Sequence, residues 1–134
     1  MKVICKKNTA KGLNLEEVKT LFIDEYRYRL EIGREYVVMG IVTYKNSNCP
    51  YYLIDHDGRP DWFPYVLFDV IDNSLPENWY IRVFNKGEAG NLFTLIGFDE
   101  LCNDDDFHDA LLNRDETAMK IYRERRMAVK NDVY

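Results

Sequence analysis

The sequence predicts an α+β protein: a mainly antiparallel sheet, strongly curved or closed into a small barrel, with a C-terminal helical segment against it. Three observations predict it. Between residues 26 and 98 the apolar residues recur with period two or in short β-branched and aromatic runs. Turn chemistry at Asn46-Ser47-Asn48, at Asp57-Gly58 and between Gly87 and Gly90 separates those runs. After Asn103 the pattern changes to the spacing of an amphipathic helix. With 134 residues, 46% hydrophobic and 14% aromatic, the chain can fill one core and is too short for two, so a single domain over 1–134 is expected.

Met1–Lys7 suits a short edge strand, and Asn14 followed by Glu17 has the form of a capping box opening a brief helix over Leu15–Phe22. Tyr26, Tyr28, Leu30 and Ile32 alternate with Arg27, Arg29 and Glu31, which predicts a half-exposed strand ended by Gly33. Tyr36–Tyr44 is β-branched and aromatic nearly throughout and reads as a central strand, with Gly40 marking a bend or bulge. Tyr51–Asp55 follows as a strand and reverses at Asp57-Gly58 into a hairpin. Within 62–72 the ladder is expected to begin only after Pro64, because proline has no N–H to donate. Trp79–Phe84 and Leu92–Phe98 make a second hairpin across the Gly87 to Gly90 reversal. Asn103 is then expected to cap a helix whose first turn is Asp104-Asp105-Asp106, where carboxylates meet the positive end of the dipole. Phe107, Ala110, Leu111, Ala118, Ile121, Tyr122 and Val129 form its apolar stripe, and Arg123, Arg125 and Arg126 suit its C-terminal end. Asn113-Arg114-Asp115-Glu116 can reset the cap, so one kinked helix and two consecutive helices both fit.

Charge narrows the function. Residues 30–109 carry five basic and fifteen acidic side chains, and the whole chain carries −5, which disfavours nucleic acid as a partner. No apolar run approaches the roughly 20 residues that cross a bilayer. The opening Met1-Lys2-Val3-Ile4-Cys5-Lys6-Lys7 regains charge too early for a signal peptide, so a cytoplasmic location without membrane contact is expected. Cys5, Cys49 and Cys102 are odd in number and far apart, hence free thiols by default. No glycine-rich phosphate loop or dinucleotide fingerprint occurs. With only His56 and His108, a three-histidine zinc site is impossible. A calcium loop opening at Asp104 would need glycine where Asp109 stands, and one opening at Asp55 would need it at Pro60. No metal or cofactor is expected. Asp55-His56-Asp57 is the most reactive-looking triplet, yet strand alternation sets His56 opposite both carboxylates. A carboxylate pair for glycoside hydrolysis stays open, because abundance of Asp and Glu says nothing about their separation.

Aromatic residues interleaved with carboxylates point to a protein-binding surface that draws a basic partner. Its candidate contributors are Asp55, Asp57, Asp61, Asp69, Asp72 and Glu77, with Tyr52 and Trp62 as aromatic anchors. The spacing Leu30-x-x-Gly33-x-x-Tyr36-x-Val38, Tyr52-x-Ile54, Pro60-x-Trp62-x-Pro64-x-x-x-Phe68 and Leu75-Pro76-x-x-Trp79 resembles small bacterial proteins with an SH3-like barrel. Some of these are immunity proteins of polymorphic-toxin and contact-dependent-inhibition systems. The resemblance, over about residues 30–79, implies a non-enzymatic cytoplasmic inhibitor that binds a cognate toxin domain, often a basic nuclease. Two other readings stand beside it. An SH3-like module would grip proline-rich peptides with Tyr52, Trp62 and Trp79, and a small hydrolase would use Asp55, His56 and a third group.

Overall fold

A computed structural model of the chain describes residues 1–9, 28–85 and 90–131. The strands are β1 (Lys2–Cys5), β2 (Glu35–Tyr44), β3 (Tyr51–His56), β4 (Arg59–Pro64), β5 (Phe68–Asp72), β6 (Tyr80–Val83) and β7 (Leu92–Gly97). A 3-10 turn at Tyr65–Leu67 joins β4 to β5, and the helices are α1 (Asp99–Asn103), α2 (Phe107–Leu112) and α3 (Glu116–Asn131). Every strand pair is antiparallel, so the molecule is α+β, with its helices following the sheet in the chain.

β2 is the hub because its ten residues are long enough to serve two neighbours on one edge. β3 lies along one edge over Val37–Val42. On the other edge β1 pairs with Glu35 to Val37, and β7 pairs with Gly40 to Tyr44. One branch therefore runs β4-β3-β2-β1-β5, while β6 extends the other through β7. Among the described residues β4, β5 and β6 each keep a free edge, so the sheet does not close into a barrel.

The two faces of this branched sheet bury separate clusters. Met39, Val42, Leu53 and Leu95 pack with Phe98, Phe107, Leu111 and Tyr122 beneath the helices. Val38, Tyr52, Ile54 and Phe63 pack with Val3, Tyr28, Leu30, Leu67 and Phe68 on the opposite side. A strand covered on both faces has no polar side to show, which is why Val37–Val42 and Tyr51–Ile54 read as continuous apolar runs. Gly40 does mark a register shift in the β2–β3 ladder. Asp57 and Gly58 both have positive φ, 54° and 83°, the geometry of a tight hairpin turn.

The expectations fail in four places, each for a physical reason. Tyr28–Ile32 is not a strand: the Tyr28 N–H donates to the Asn8 carbonyl at 2.7 Å, the Leu30 N–H turns back to the Tyr28 carbonyl at 2.8 Å, and Asn8 Nδ2 donates to the Leu30 carbonyl. Those bonds occupy groups that a ladder needs; Tyr26, Arg27 and the helix expected over Leu15–Phe22 lie outside the described residues. β1 is not an edge strand, since β5 pairs with its other side. The ladder begins before Pro64, because β4 is itself an edge strand and tolerates Pro60 and Pro64. Asn103 does not open a helix but ends α1, its Nδ2 donating to Asp99 Oδ1 at 2.8 Å. The cap reset at Asn113–Glu116 does occur: Asp115 Oδ2 accepts the Ala118 N–H, and α3 starts afresh.

Candidate functional site

A concavity of about 610 Å³ opens where the β2–β7–β6 branch meets α1 and α2. Val42, Leu92, Leu95 and Leu101 give it an apolar floor, and Tyr44, Trp62 and Phe84 form aromatic walls. Asp104, Asp105 and Asp109 stand exposed at its lip beside Arg82 and His108.

A pair of glycines builds this groove. Gly40 and Gly97 are cross-strand partners, and a Cβ on either would come within 2.6 or 2.7 Å of Leu101 Cδ2. The notch they leave lets Leu101 press against the sheet, which seats α1 across the end of β7. Cys102 then lies buried, its thiol facing the carbonyls of Tyr80, Leu95 and Gly97 at 3.5 to 3.6 Å. Burial, partly offset by the bond to the Gly97 carbonyl, pushes this thiol up to about 11, so it is protonated at neutral pH and no nucleophile.

The lip owes its shape to one arginine and one short turn. Arg82 Nη1 donates to the Cys102 carbonyl at 3.1 Å and to Asp105 Oδ1 at 2.6 Å, with its guanidinium carbon 4.6 Å from the centre of the Phe84 ring. Asp104 Oδ1 accepts the Asp106 N–H, an Asx turn that bridges α1 to α2. Trp62 Nε1 donates to His108 Nε2 at 2.9 Å, which fixes the groove's far wall to α2 and requires an unprotonated His108 Nε2. Three lip carboxylates thus face one guanidinium, and the local field is negative.

Of the residues expected to meet a partner, Trp62 alone lines this groove. Asp55 is closed in by α3: it accepts from the Tyr122 hydroxyl and from Arg126 Nε at 3.0 Å. Burial first, then the Asp55 charge, push the Tyr122 phenol far above the ordinary tyrosine range. Asp61 accepts from Arg114 Nη2 at 2.7 Å and pairs with His56 Nε2 at 2.6 Å, a tie that wraps the free edge of β4. Tyr52 is buried in the second cluster. Asp57, Asp69 and Glu77 are exposed, Asp57 held by Arg34 and Asp69 by Lys6, while Asp72 spends one carboxylate oxygen on the Ser74 N–H and hydroxyl.

The sheet register also separates the residues that the other two readings require. Tyr52 pairs with Phe63 and Leu53 with Trp62, so Tyr52 and Trp62 lie on opposite faces and cannot share a peptide groove. Trp79 lines a different hollow, with Arg125 and Val129. Asp55 and His56 face opposite ways by the same alternation, Asp55 held by Tyr122 and Arg126 of α3 and His56 by Asp61 of β4. Sequence reasoning missed Arg82 and treated Asp104–Asp106 as a helix cap; the two glycines 57 positions apart were the signal, visible only once their pairing is known. Among the described residues no cluster of three or more His, Cys, Asp or Glu is placed to hold a metal, and no helix is long and apolar enough to cross a membrane. Comparison with protein families, with curated proteins and with solved structures finds no match to this chain.

Proposed function

We propose that the protein is a non-enzymatic inhibitor of the immunity type, which binds and neutralises a basic toxin domain, and that the groove between β7 and α2 receives a segment of that toxin. The single observation that carries this reading is a groove of about 610 Å³ with an apolar floor and a lip of Asp104, Asp105 and Asp109. Such a site accepts an aliphatic or aromatic anchor flanked by lysine or arginine: the anchor gives up its water to Leu92, Leu95 and Leu101, while the cations meet the carboxylates. The bonds that hold Asp55, Asp61 and His56 in place fit a scaffold better than a reaction centre, which favours binding over hydrolysis.

The test is a growth assay with the protein encoded beside this one, expressed in a bacterial host with and without this chain. Killing that this chain prevents, and that returns with the double variant Asp104→Lys/Asp109→Lys, is the expected result. A neighbour that leaves growth untouched, or protection that the double variant keeps in full, overturns the reading.

A further inference from the structure

Among the described residues the sheet has three free edges, and they are not alike. On β4, Pro60 and Pro64 cannot donate, which blunts that edge against pairing with another chain. On β5, Asp69 and Asp72 set two carboxylates along a five-residue strand, and pairing two such edges would bring like charges together. β6 carries neither defence: Tyr80–Val83 contains no proline and no carboxylate.

Its backbone and side chains are both presented for pairing. The Phe84 N–H donates to the Phe93 carbonyl at 2.8 Å. Alternation along an antiparallel ladder then turns Arg82 and Tyr80 toward β7 and leaves the N–H and C=O groups of Ile81 and Val83 facing outward. The Arg82 side chain lies on the helix side, bound to the Cys102 carbonyl and Asp105, and does not guard the edge. On the face away from the helices, Ile41, Ile96 and Ile81 form one cross-strand row and Thr43, Thr94 and Val83 the next. Ile81 and Val83 are 63% and 55% exposed. This β-branched surface carries no charge, although residues 30–109 hold fifteen acidic side chains against five basic ones.

We propose that β6 is the contact strand of a symmetric dimer, in which two copies of this chain pair antiparallel, edge to edge, at Ile81 and Val83. Charge selects the second copy as occupant. A basic partner gains nothing from an uncharged strip, whereas two equally acidic molecules can approach closely only where neither carries charge. Pairing satisfies the outward backbone groups of both copies, sets their Ile81 and Val83 side chains side by side, and removes an edge that would otherwise template aggregation. The groove opens on the face of the sheet opposite Ile81 and Val83.

Sedimentation equilibrium of the full chain over a range of concentrations tests this. A reversible dimer of twice 16.0 kDa is expected. Ile81→Lys and Val83→Lys, each at an exposed position, should raise the dissociation constant by about tenfold or more while circular dichroism stays unchanged. Met127→Lys, also at a 63% exposed site but on α3, should leave it as it was. Hydrogen exchange provides a second readout: the Ile81 and Val83 amides should be protected in the dimer and exchange rapidly in the lysine variants. A monomer at every concentration, a dimer indifferent to both β6 lysines, or open-ended aggregates in place of a dimer would each overturn the proposal.

Discussion

Removing the Asp55 carboxylate as Asp55→Asn leaves the Arg126 guanidinium without its counter-charge, and Arg126 Nη1 already lies buried with no hydrogen-bond partner among the described residues. Breaking a fully buried pair from one side costs about 3–5 kcal/mol and this part-buried one less, so the urea midpoint of Asp55→Asn should fall, whereas Asp57→Asn at the exposed turn should hardly move it. A second ionic contact predicts a pH dependence. Arg125 grips both Glu100 oxygens at 2.7 Å, and these hydrogen bonds hold the Glu100 carboxyl below the ordinary glutamate range. A carboxyl depressed in the folded state contributes its stability fully above the unfolded value and loses it as pH falls through the folded one. Stability measured down an acid titration should therefore drop through that interval, and Glu100→Gln should flatten this part of the slope. At this scale the sequence was half legible. Period-two alternation correctly separated Asp55 from His56, but nothing local joins Asp55 to an arginine 71 positions away.

At the scale of elements, the Gly40–Gly97 notch makes the strongest demand on sequence. Gly97→Ala places a methyl 2.7 Å from Leu101 Cδ2 and 3.3 Å from the Met39 carbonyl, which leaves Leu101 to be pushed away from the sheet. Overpacking of this kind costs about 1–3 kcal/mol. The expected outcome is a lowered melting temperature, together with altered chemical shifts across α1 and the groove lip rather than across β1 or β5. Elements with local signatures were readable: the Asp57-Gly58 hairpin, the β6–β7 hairpin and the fresh cap at Asp115 all rest on neighbouring residues. β1 was misplaced because the pairing of Val3 with Val70 is set by the whole sheet and leaves no trace in the string Lys2-Val3-Ile4-Cys5. α1 escaped because Asn103 has the composition of a helix start while its side chain serves the helix that it ends.

For the whole molecule, the proposed division of labour between lip and floor separates in kinetics. Against the proposed basic partner, reversing Asp104 and Asp109 to lysine should slow association by about tenfold or more and flatten its salt dependence, with little change in dissociation. Trp62→Ala should act the other way, shortening the lifetime of the complex at nearly constant association rate. Stopped-flow fluorescence across a salt series distinguishes the two, and a salt dependence indifferent to charge reversal counts against the lip. The divided edge of β2 has a consequence for how the molecule is made. β1 to β4 lie within the first half of the chain and can pair as they leave the ribosome, whereas Gly40 to Tyr44 wait for β7, about fifty residues later. During that wait β2 is saturated at one end and bare at the other, next to an apolar surface that Leu95 and α1 have not yet reached. The time between the emergence of Tyr44 and that of Leu92 thus sets how long each nascent chain presents a sticky half-strand to its neighbours, and slowing synthesis over that interval should raise the share of chains lost to aggregation.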